Sequence, residues 1–479
     1  MKSTRNRWLL VLGLPMVIVG CESDLTGINE NPNGPTDVGP QYLLPAAIQE
    51  SVNDLLGTGL DRNAASLWVQ HIARLQYGSP DRYDLGSTFA DSYWEGLWTE
   101  SLPDAQLIIE RSAENEQPNL EGIGRVLKSW IVQNMTDLWG DIPYSTALQG
   151  HAEDRVTTPA YDTQASIYAS LLTELEAAAS LVVMPGEEIG TSDLIYNGDA
   201  AKWAKFANSL RLRTAMRLSE VDAAAAQAGV AAAVAAGVFE GAVDEAKLSY
   251  PGTAPNENPM YVAFRDRPGD FRASETMVNT LTALADPRLE IYADPAESTG
   301  LYVGMPNGLD DSHGIGFTTV SKVGAWFLKP DAPAMIQSYA EVLFLKAEAA
   351  ARGWIAEDAA SLYAAGITAS MERYGISQAE IATYLAHPEV VYSPGRGLEQ
   401  IALQKWIELY DVGPEAYAEW RRTGFPNLVA GRDNVTGGMI PLRFPYPTTE
   451  ASLNRTNLEA AKDRQSGALI SVPIWWDVD

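Results

Sequence analysis

Residues 199–219 read Asp-Ala-Ala-Lys-Trp-Ala-Lys-Phe-Ala-Asn-Ser-Leu-Arg-Leu-Arg-Thr-Ala-Met-Arg-Leu-Ser, and this stretch decides the fold. Asp199 is a good N-cap, so the stretch predicts a helix that begins there. At about 100° per residue, one face carries Trp203, Phe206, Ala207, Leu210, Thr214 and Leu218, and nearly the opposite face carries Leu212 and Met216. A helix that is apolar on two sides packs between neighbouring helices.

The same stretch also concentrates positive charge in an acidic chain. Its cations are Lys202, Lys205, Arg211, Arg213 and Arg217. Arg217 projects within the larger apolar face, so once buried it needs a carboxylate or carbonyl partner. A structural ion-pair network is the common use of such an arginine, and an anion-binding site is the alternative.

Hydrophobic periodicity predicts further helices on both sides of this one. They are expected over residues 42–56, 63–77, 92–111, 120–138, 162–181, 221–236, 339–353 and 359–374, with another helix starting at Gln404. Short turns join several of them into pairs. The pair over 339–374 carries small residues in a pattern that resembles the tetratricopeptide repeat, without a strict register. The predicted fold class is therefore mostly α, with tetratricopeptide-like helix hairpins.

Residues 251–330 break the helical pattern with prolines and glycines and predict a long irregular, loop-rich region. Segments of this kind in a compact protein are usually functional or mobile. Because a flat ring can meet the apolar face of a sugar, we expect a ligand site here, joined by aromatic residues of the loop over 76–89. The predicted ligand-binding residues are Tyr77, Tyr83, Tyr261, Phe264, Tyr302 and Trp326. The alternative is that these rings pin a long loop to the helices.

The N-terminus indicates export and a lipid anchor. Residues 1–20 join a basic start to an apolar run that is too short to span a bilayer, which is typical of a signal peptide. The only cysteine, Cys21, follows Ile-Val-Gly, and this stretch resembles the lipobox of bacterial lipoproteins, where the thiol is lipidated. Residues 21–41 are rich in Asn, Pro and Gly and predict a flexible tether. Residues 42–479 are expected to form one helical domain.

Composition argues against several classes of function. The formal net charge of -28 repels nucleic acid. The four histidines are widely spaced and no Cys-x-x-Cys pair exists, so no zinc site is predicted. No metal ligand or cofactor is named, and a calcium ion in an acidic loop stays open. Asp137 and Asp141 have the spacing of a carboxylate pair, but such spacing is frequent by chance among 62 acidic residues. Asp141 is expected to bond turn amides, and no catalytic residue is predicted.

Several motifs, in order along the chain, resemble those of the SusD/RagB-like outer-membrane nutrient-binding lipoproteins. They are Trp139-Gly-Asp-Ile-Pro-Tyr-Ser145, Lys202-Trp-x-Lys-Phe-Ala-Asn208, Asp286-Pro-Arg288, Tyr339-Ala-Glu-Val-x-Phe-Leu-Lys-Ala-Glu-Ala349, Gln404-Lys-Trp-Ile407, Glu419-Trp-Arg-Arg-Thr-Gly424 and Ile474-Trp-Trp-Asp477. The resemblance covers nearly the whole chain after Cys21 and implies a SusD-like helical fold. It also implies a non-catalytic receptor, lipid-anchored in the cell outer membrane and surface-exposed. The family's ligand residues lie in variable loops, so the motifs transfer none of them to this chain.

The expected function is therefore capture of oligosaccharides and their delivery to a SusC-like TonB-dependent outer-membrane transporter. One alternative keeps this fold and partner but binds a peptide or another non-glycan ligand. A second is a helical glycoside hydrolase, which needs two carboxylates at a defined separation, and no such pair stands out. A third is a helical-repeat scaffold that binds only protein.

Overall fold

The computed structural model describes residues 38–150, 155–186 and 188–478. Its α-helices are α1 Leu44–Leu56, α2 Ser66–Trp68, α3 Asp91–Gly96, α4 Leu102–Glu114, α5 Pro118–Trp139, α6 Gln164–Val182, α7 Ala200–Met216, α8 Ala223–Ala236, α9 Pro259–Asp266, α10 Glu275–Ala283, α11 Leu289–Tyr292, α12 Tyr339–Ala351, α13 Ala359–Arg373, α14 Gln378–Leu385, α15 Gly397–Glu408, α16 Gly413–Thr423, α17 Thr448–Leu453 and α18 Arg455–Arg464. Its strands are β1 Ile72–Arg74, β2 Ile142–Pro143, β3 Tyr161–Asp162, β4 Ala246–Leu248, β5 Phe271–Ala273, β6 Ala293–Asp294, β7 Lys322–Val323 and β8 Ala334–Gln337.

Helix α7 is buried on both predicted faces. The carboxylate of Asp199 caps it by accepting from the Lys202 amide at 3.1 Å. Phe206 on one face and Leu212 on the other are both fully buried. The helix packs against α5, α6, α8 and α12, so the prediction that it lies between neighbours is confirmed.

Helices that follow one another in sequence pack side by side. This holds for α4 and α5, α5 and α6, α6 and α7, α7 and α8, and α12 and α13. In the last pair the Phe344 ring lies so close to Gly366 that a Cβ there would come within 2.7 Å of it. The predicted mostly α fold with helix hairpins is confirmed.

Buried ion pairs tie these hairpins together. The Arg217 guanidinium lies 2.6 Å from a carboxylate oxygen of Glu415, 2.9 Å from Glu419 and 3.4 Å from Asp137. Because all of these side chains are almost fully buried, removing one partner would leave an uncompensated charge at a cost of about 3–5 kcal/mol. Arg217 therefore belongs to the structural network that the sequence favoured.

The strands form only short two-stranded sheets. β1 pairs with β5, β2 with β3, β4 with β8 and β6 with β7, each antiparallel. β1 overturns the prediction of one helix over residues 63–77. The α-helix there ends at Trp68, Gln70 turns the backbone with φ +57°, and the strand bonds to a segment about 200 residues away. Local periodicity cannot report such a distant partner.

Two further helix predictions need correction. The helix expected over 92–111 is interrupted by a π-helical turn, Leu97–Ser101, and Pro103 in the first turn of α4 has no N–H to continue the ladder. The stretch from Gln404 is the end of a helix rather than its start, since α15 begins at Gly397 and ends at Glu408.

The region over 251–330 is irregular mainly in its second half. Its first half contains α9, β5, α10 and α11, while no α-helix or strand lies between Asp294 and Lys322, a stretch that the structure describes throughout. None of the helices within the described ranges is long and apolar enough to cross a membrane.

Candidate functional site

A cleft, here named the Tyr77 cleft, lies between the loop after β1, the segment between α9 and β5, and the loop over 297–322. It has a volume of about 440 Å³ and is lined by Gln76, Tyr77, Arg267, Pro268, Gly269, Asp270, Arg272, Glu297, Phe317, Thr318 and Lys322. Two of these rings are exposed, Tyr77 for 57% and Phe317 for 46% of its surface. The cleft therefore presents two flat apolar surfaces among polar side chains.

Pairing of β1 with β5 positions Tyr77. Arg74 lies opposite Phe271 in this ladder, and the Leu75 amide donates to the Asp270 carbonyl at 2.9 Å. The chain then turns sharply, because Tyr77 has a left-handed φ of +57°. Such a conformation in a non-glycine residue costs about 1–3 kcal/mol, so the surrounding structure must hold it in place.

Phe317 reaches the cleft because Gly269 leaves room for its ring. A Cβ on residue 269 would lie 2.3 Å from the ring. Arg272 holds the backbone on both sides of this contact, since its guanidinium donates to the Pro268 carbonyl at 3.0 Å and to the Phe317 carbonyl at 3.2 Å. Burial lowers the pKa of Arg272 below its usual value.

Four of the five charged side chains of the Tyr77 cleft form two ion pairs, and the fifth, Arg272, donates to backbone carbonyls. Arg267 lies 3.8 Å from Asp270, and Lys322 pairs with Glu297. The hydrogen bond from Lys322 holds the pKa of the Glu297 carboxyl below its ordinary value. The Arg267 guanidinium also lies over the Tyr77 ring, 5.3 Å from its centroid. Because opposite charges largely cancel, the cleft suits an uncharged ligand better than an anion.

A second depression of about 320 Å³ adjoins the Tyr77 cleft. Its lining includes Thr58, Asn63 and Arg74, and it shares Tyr77, Arg267 and Asp270 with the first. Tyr77 thus lines two neighbouring depressions, which together can accommodate more than one sugar ring.

Of the six residues predicted to contact a ligand, Tyr77 lies in this cleft. Tyr83 is only 2% exposed and packs edge-to-face on Trp68, with ring centroids 6.4 Å apart. Phe264 is also buried and stacks on Phe271 at 6.2 Å. These two rings fit the alternative interpretation, in which loop aromatics attach the loop to the core, and the proposed site does without them.

The other three predicted residues do not line the Tyr77 cleft or the depression beside it. Tyr261 lies on α9, with the Arg265 guanidinium 5.7 Å from its ring centroid. Tyr302 packs on a small apolar cluster that contains Ala273 and Val278. Trp326 contacts the core edge-to-face through Phe327 and Tyr374. Their contact with a ligand stays a prediction.

Phe317 is the site residue that the predicted set omits. The sequence places it in the loop-rich region with other exposable aromatics, and the Pro-Gly dipeptide at 268–269 marks a turn. Nothing local indicates that this turn and residue 317 meet, because the contact spans nearly 50 residues.

The carboxylates at the end of α5 have structural partners. Asp137 accepts from the Trp476 indole at 2.8 Å and pairs with Arg217. Asp141 accepts from the Gln164 amide at 2.9 Å and pairs with Arg464 at 2.8 Å.

Within the described ranges, no group of three or more His, Cys, Asp or Glu side chains is placed to hold a metal ion. Cys21 and its tether up to residue 37 lie outside the described residues.

Comparison with known proteins gives consistent matches. A SusD-like family model, described as "Starch-binding associating with outer membrane", matches residues 32–447. A solved chitin-binding protein is 30% identical, with a TM-score of 0.83 over 92% of this chain and 100% of its own. A SusD homologue from Bacteroides uniformis is 25% identical, with a TM-score of 0.79 over 91% of this chain and 100% of its own. A chitin-binding SusD homologue from Flavobacterium johnsoniae is 24% identical and shares the fold, with a TM-score of 0.80 over 91% of this chain and 99% of its own. No curated protein matches the chain.

Proposed function

The chain belongs to the SusD-like family of glycan-binding proteins that associate with the outer membrane, and we propose that it captures oligosaccharides in the Tyr77 cleft. The bound glycan then passes to a SusC-like TonB-dependent transporter, and lipid on Cys21 holds the protein at the outer membrane. We infer the lipid anchor from the sequence around Cys21. We infer the transporter partner from the family resemblance. The protein acts by binding, without cleaving the glycan.

The exposed pair of rings in the Tyr77 cleft carries this proposal. When the apolar C–H face of a sugar ring covers an exposed aromatic face, apolar surface of both is removed from water, which favours binding. Tyr77 and Phe317 provide two such faces in one cleft. Gln76, Thr318 and the paired charges supply donors and acceptors for the sugar hydroxyls.

The mixed charge supports a neutral glycan over a strongly acidic ligand. An acidic ligand would meet the carboxylates of the cleft as well as its cations, whereas hydroxyl groups can donate to Asp270 and accept from Arg267. The two carboxylates of the cleft are engaged with cations, so neither is set apart as a general acid. A glycosidase would need such an acid.

Calorimetric titration with chitohexaose and maltohexaose tests this function, with product analysis of each mixture. The purified protein is expected to bind at least one of the two without releasing shorter products. At the Tyr77 cleft, the double variant Tyr77→Ala/Phe317→Ala is expected to bind about 100-fold more weakly, since each stacked ring contributes about 1–1.5 kcal/mol. Tyr42→Ala removes an exposed ring outside the cleft and is the matched control.

Three outcomes would contradict the proposal. Release of shorter sugars would show a hydrolase, unchanged affinity in the double variant would place the ligand elsewhere, and a failure of both glycans to bind would favour a peptide ligand. Co-purification tests the transporter separately: a SusC-like TonB-dependent transporter produced together with this protein should be retained by the wild type and by the double variant alike.

A further inference from the structure

A second cleft, here named the Trp475 cleft, lies near the end of the described chain. It has a volume of about 640 Å³, between the start of α6, the end of α18 and the segment over 472–475. It shares no lining residue with the Tyr77 cleft. Its size lies within the range of small-molecule sites in proteins.

Two adjacent tryptophans at this end of the chain have opposite environments. Trp476 is fully buried, and its indole donates to Asp137 at 2.8 Å. Trp475 lines the cleft and is 38% exposed, with its ring tilted against Tyr168 at 6.3 Å. Trp476 therefore has a structural role in the core. The ring of Trp475 is partly open to solvent and is available to a ligand.

A fixed guanidinium lies in the same cleft. Nε and Nη2 of Arg464 donate to Asp141 Oδ2 at 3.1 and 2.8 Å, and Nη2 also donates to the Tyr161 carbonyl at 3.0 Å. Nη1 makes no hydrogen bond to any residue that the structure describes, and the side chain is 41% exposed. Because three bonds hold the group in place, its remaining N–H donors are pre-oriented for an oxygen acceptor.

Buried and strained polar groups complete the lining. Gln164 is 1% exposed and its amide nitrogen donates to the Thr136 carbonyl at 2.6 Å, while its Oε1 has no partner within the described ranges. Ser466 also lines the cleft and has a left-handed φ of +53°. A buried acceptor without a donor is costly, so the wall of the cleft retains one unsatisfied polar atom.

We propose that the Trp475 cleft is a second glycan-binding site, in which Trp475 stacks on a sugar ring and Arg464 donates to its hydroxyl oxygens. The inference rests on the proposed function for its class of ligand. Asp141 neutralises Arg464, so the site favours a neutral, hydroxyl-rich molecule over a phosphate or nucleic acid. Two separate sites on one receptor would let a long glycan be held at two points, which raises its apparent affinity.

Calorimetric stoichiometry of the purified protein tests the second site, with chitohexaose and maltohexaose as probes. The wild type is expected to bind two equivalents, and Trp475→Ala one, with at least tenfold weaker binding at the lost site. Arg464→Gln should weaken that site in the same direction, and Trp475→Phe should retain the second equivalent. Tyr42→Ala controls for the loss of an exposed ring. Equal melting temperatures of the variants and the wild type control for misfolding.

The outcomes separate this inference from the proposed function. A single equivalent in the wild type, lost in Tyr77→Ala/Phe317→Ala and unchanged in Trp475→Ala, would overturn the second site and leave the first. Binding lost in Trp475→Ala and retained in the double variant would support the Trp475 cleft and remove the Tyr77 cleft. Absence of any binding to both probes would overturn both.

Discussion

Two arginine–aromatic pairs in this protein have nearly the same ring-to-cation distance and opposite environments. In the helical core, the Arg217 guanidinium lies 5.4 Å from the Trp476 ring centroid. In the Tyr77 cleft, Arg267 lies 5.3 Å from the Tyr77 ring centroid. The core pair is fully buried and bonded to Glu415 at 2.6 Å, whereas both members of the cleft pair are more than half exposed.

The two pairs differ in burial and charge compensation rather than in ring-to-cation distance, so we expect those two properties to decide what each pair does. In the core three carboxylates and the Trp476 ring surround the guanidinium, so we expect this pair to stabilise the fold. In the cleft much of the ring is uncovered, so a ligand can still use it. The predictions below test the two regions in order of expected effect.

Replacement of Arg217 by methionine is expected to have the largest effect. The variant leaves Glu415, Glu419 and Asp137 buried without their shared cation, so the free energy of unfolding should fall by about 3–5 kcal/mol. Denaturant titration measures this change. Lys462→Met on α18 removes a partly exposed cation paired with partly exposed Glu459, so it should cost less than about 1 kcal/mol. Equal losses in both variants would contradict the role assigned to burial.

A buried histidine makes the core sensitive to acid. Burial between Trp406 and Tyr410 lowers the pKa of His71 to about 3, while in the unfolded chain it titrates near its ordinary value of about 6.5. Its contribution to stability is therefore complete above pH 6.5 and is lost as the pH falls towards 3. At pH 5 the unfolded chain already gains about 2 kcal/mol from protonation.

His71→Phe removes this term and keeps a ring in place. Between pH 7 and pH 5 the variant should lose about 2 kcal/mol less unfolding free energy than the wild type, as measured by urea titration at each pH. Burial raises the pKa of Asp61 to about 7, so protonation of Asp61 stabilises the folded state as the pH falls. Because the wild type and His71→Phe share this effect, the difference between them isolates His71. An identical pH dependence in both would show that the folded protein protonates His71 readily.

The core was more predictable from the sequence than the cleft, for a physical reason. Helices α5, α6 and α7 begin and end within a few residues of their predicted bounds, because helical hydrogen bonds and periodicity are local. Tyr77 and Tyr83 lie six residues apart in one loop, and both have left-handed backbones, yet only one is exposed. Which ring becomes buried depends on Trp68 packing and on the β1–β5 pairing, and neither leaves a pattern near the two tyrosines.

Gly269→Ala should damage the Tyr77 cleft without weakening the core. Its Cβ would meet the Phe317 ring at 2.3 Å, so the ring must move from its present position. We expect affinity for the bound hexasaccharide to fall about tenfold, which corresponds to about 1.4 kcal/mol, with an unchanged melting temperature. Gly316→Ala lies in the same loop as Phe317, meets only ordinary contacts from 3.5 Å outward, and should bind as the wild type does. Unchanged affinity in Gly269→Ala would remove Phe317 from the site.

The smallest effect is expected from the exposed cation–π pair itself. Arg267→Gln keeps a polar side chain beside Tyr77 but removes the charge over its ring, and exposed pairs of this kind contribute about 0.5–1 kcal/mol. Affinity should therefore fall about two- to fivefold in calorimetric titration. Arg265→Gln breaks the equivalent pair with Tyr261, outside the cleft, and should leave affinity unchanged. If Arg265→Gln weakened binding and Arg267→Gln did not, the ligand would lie on α9 beside Tyr261, as the sequence first suggested.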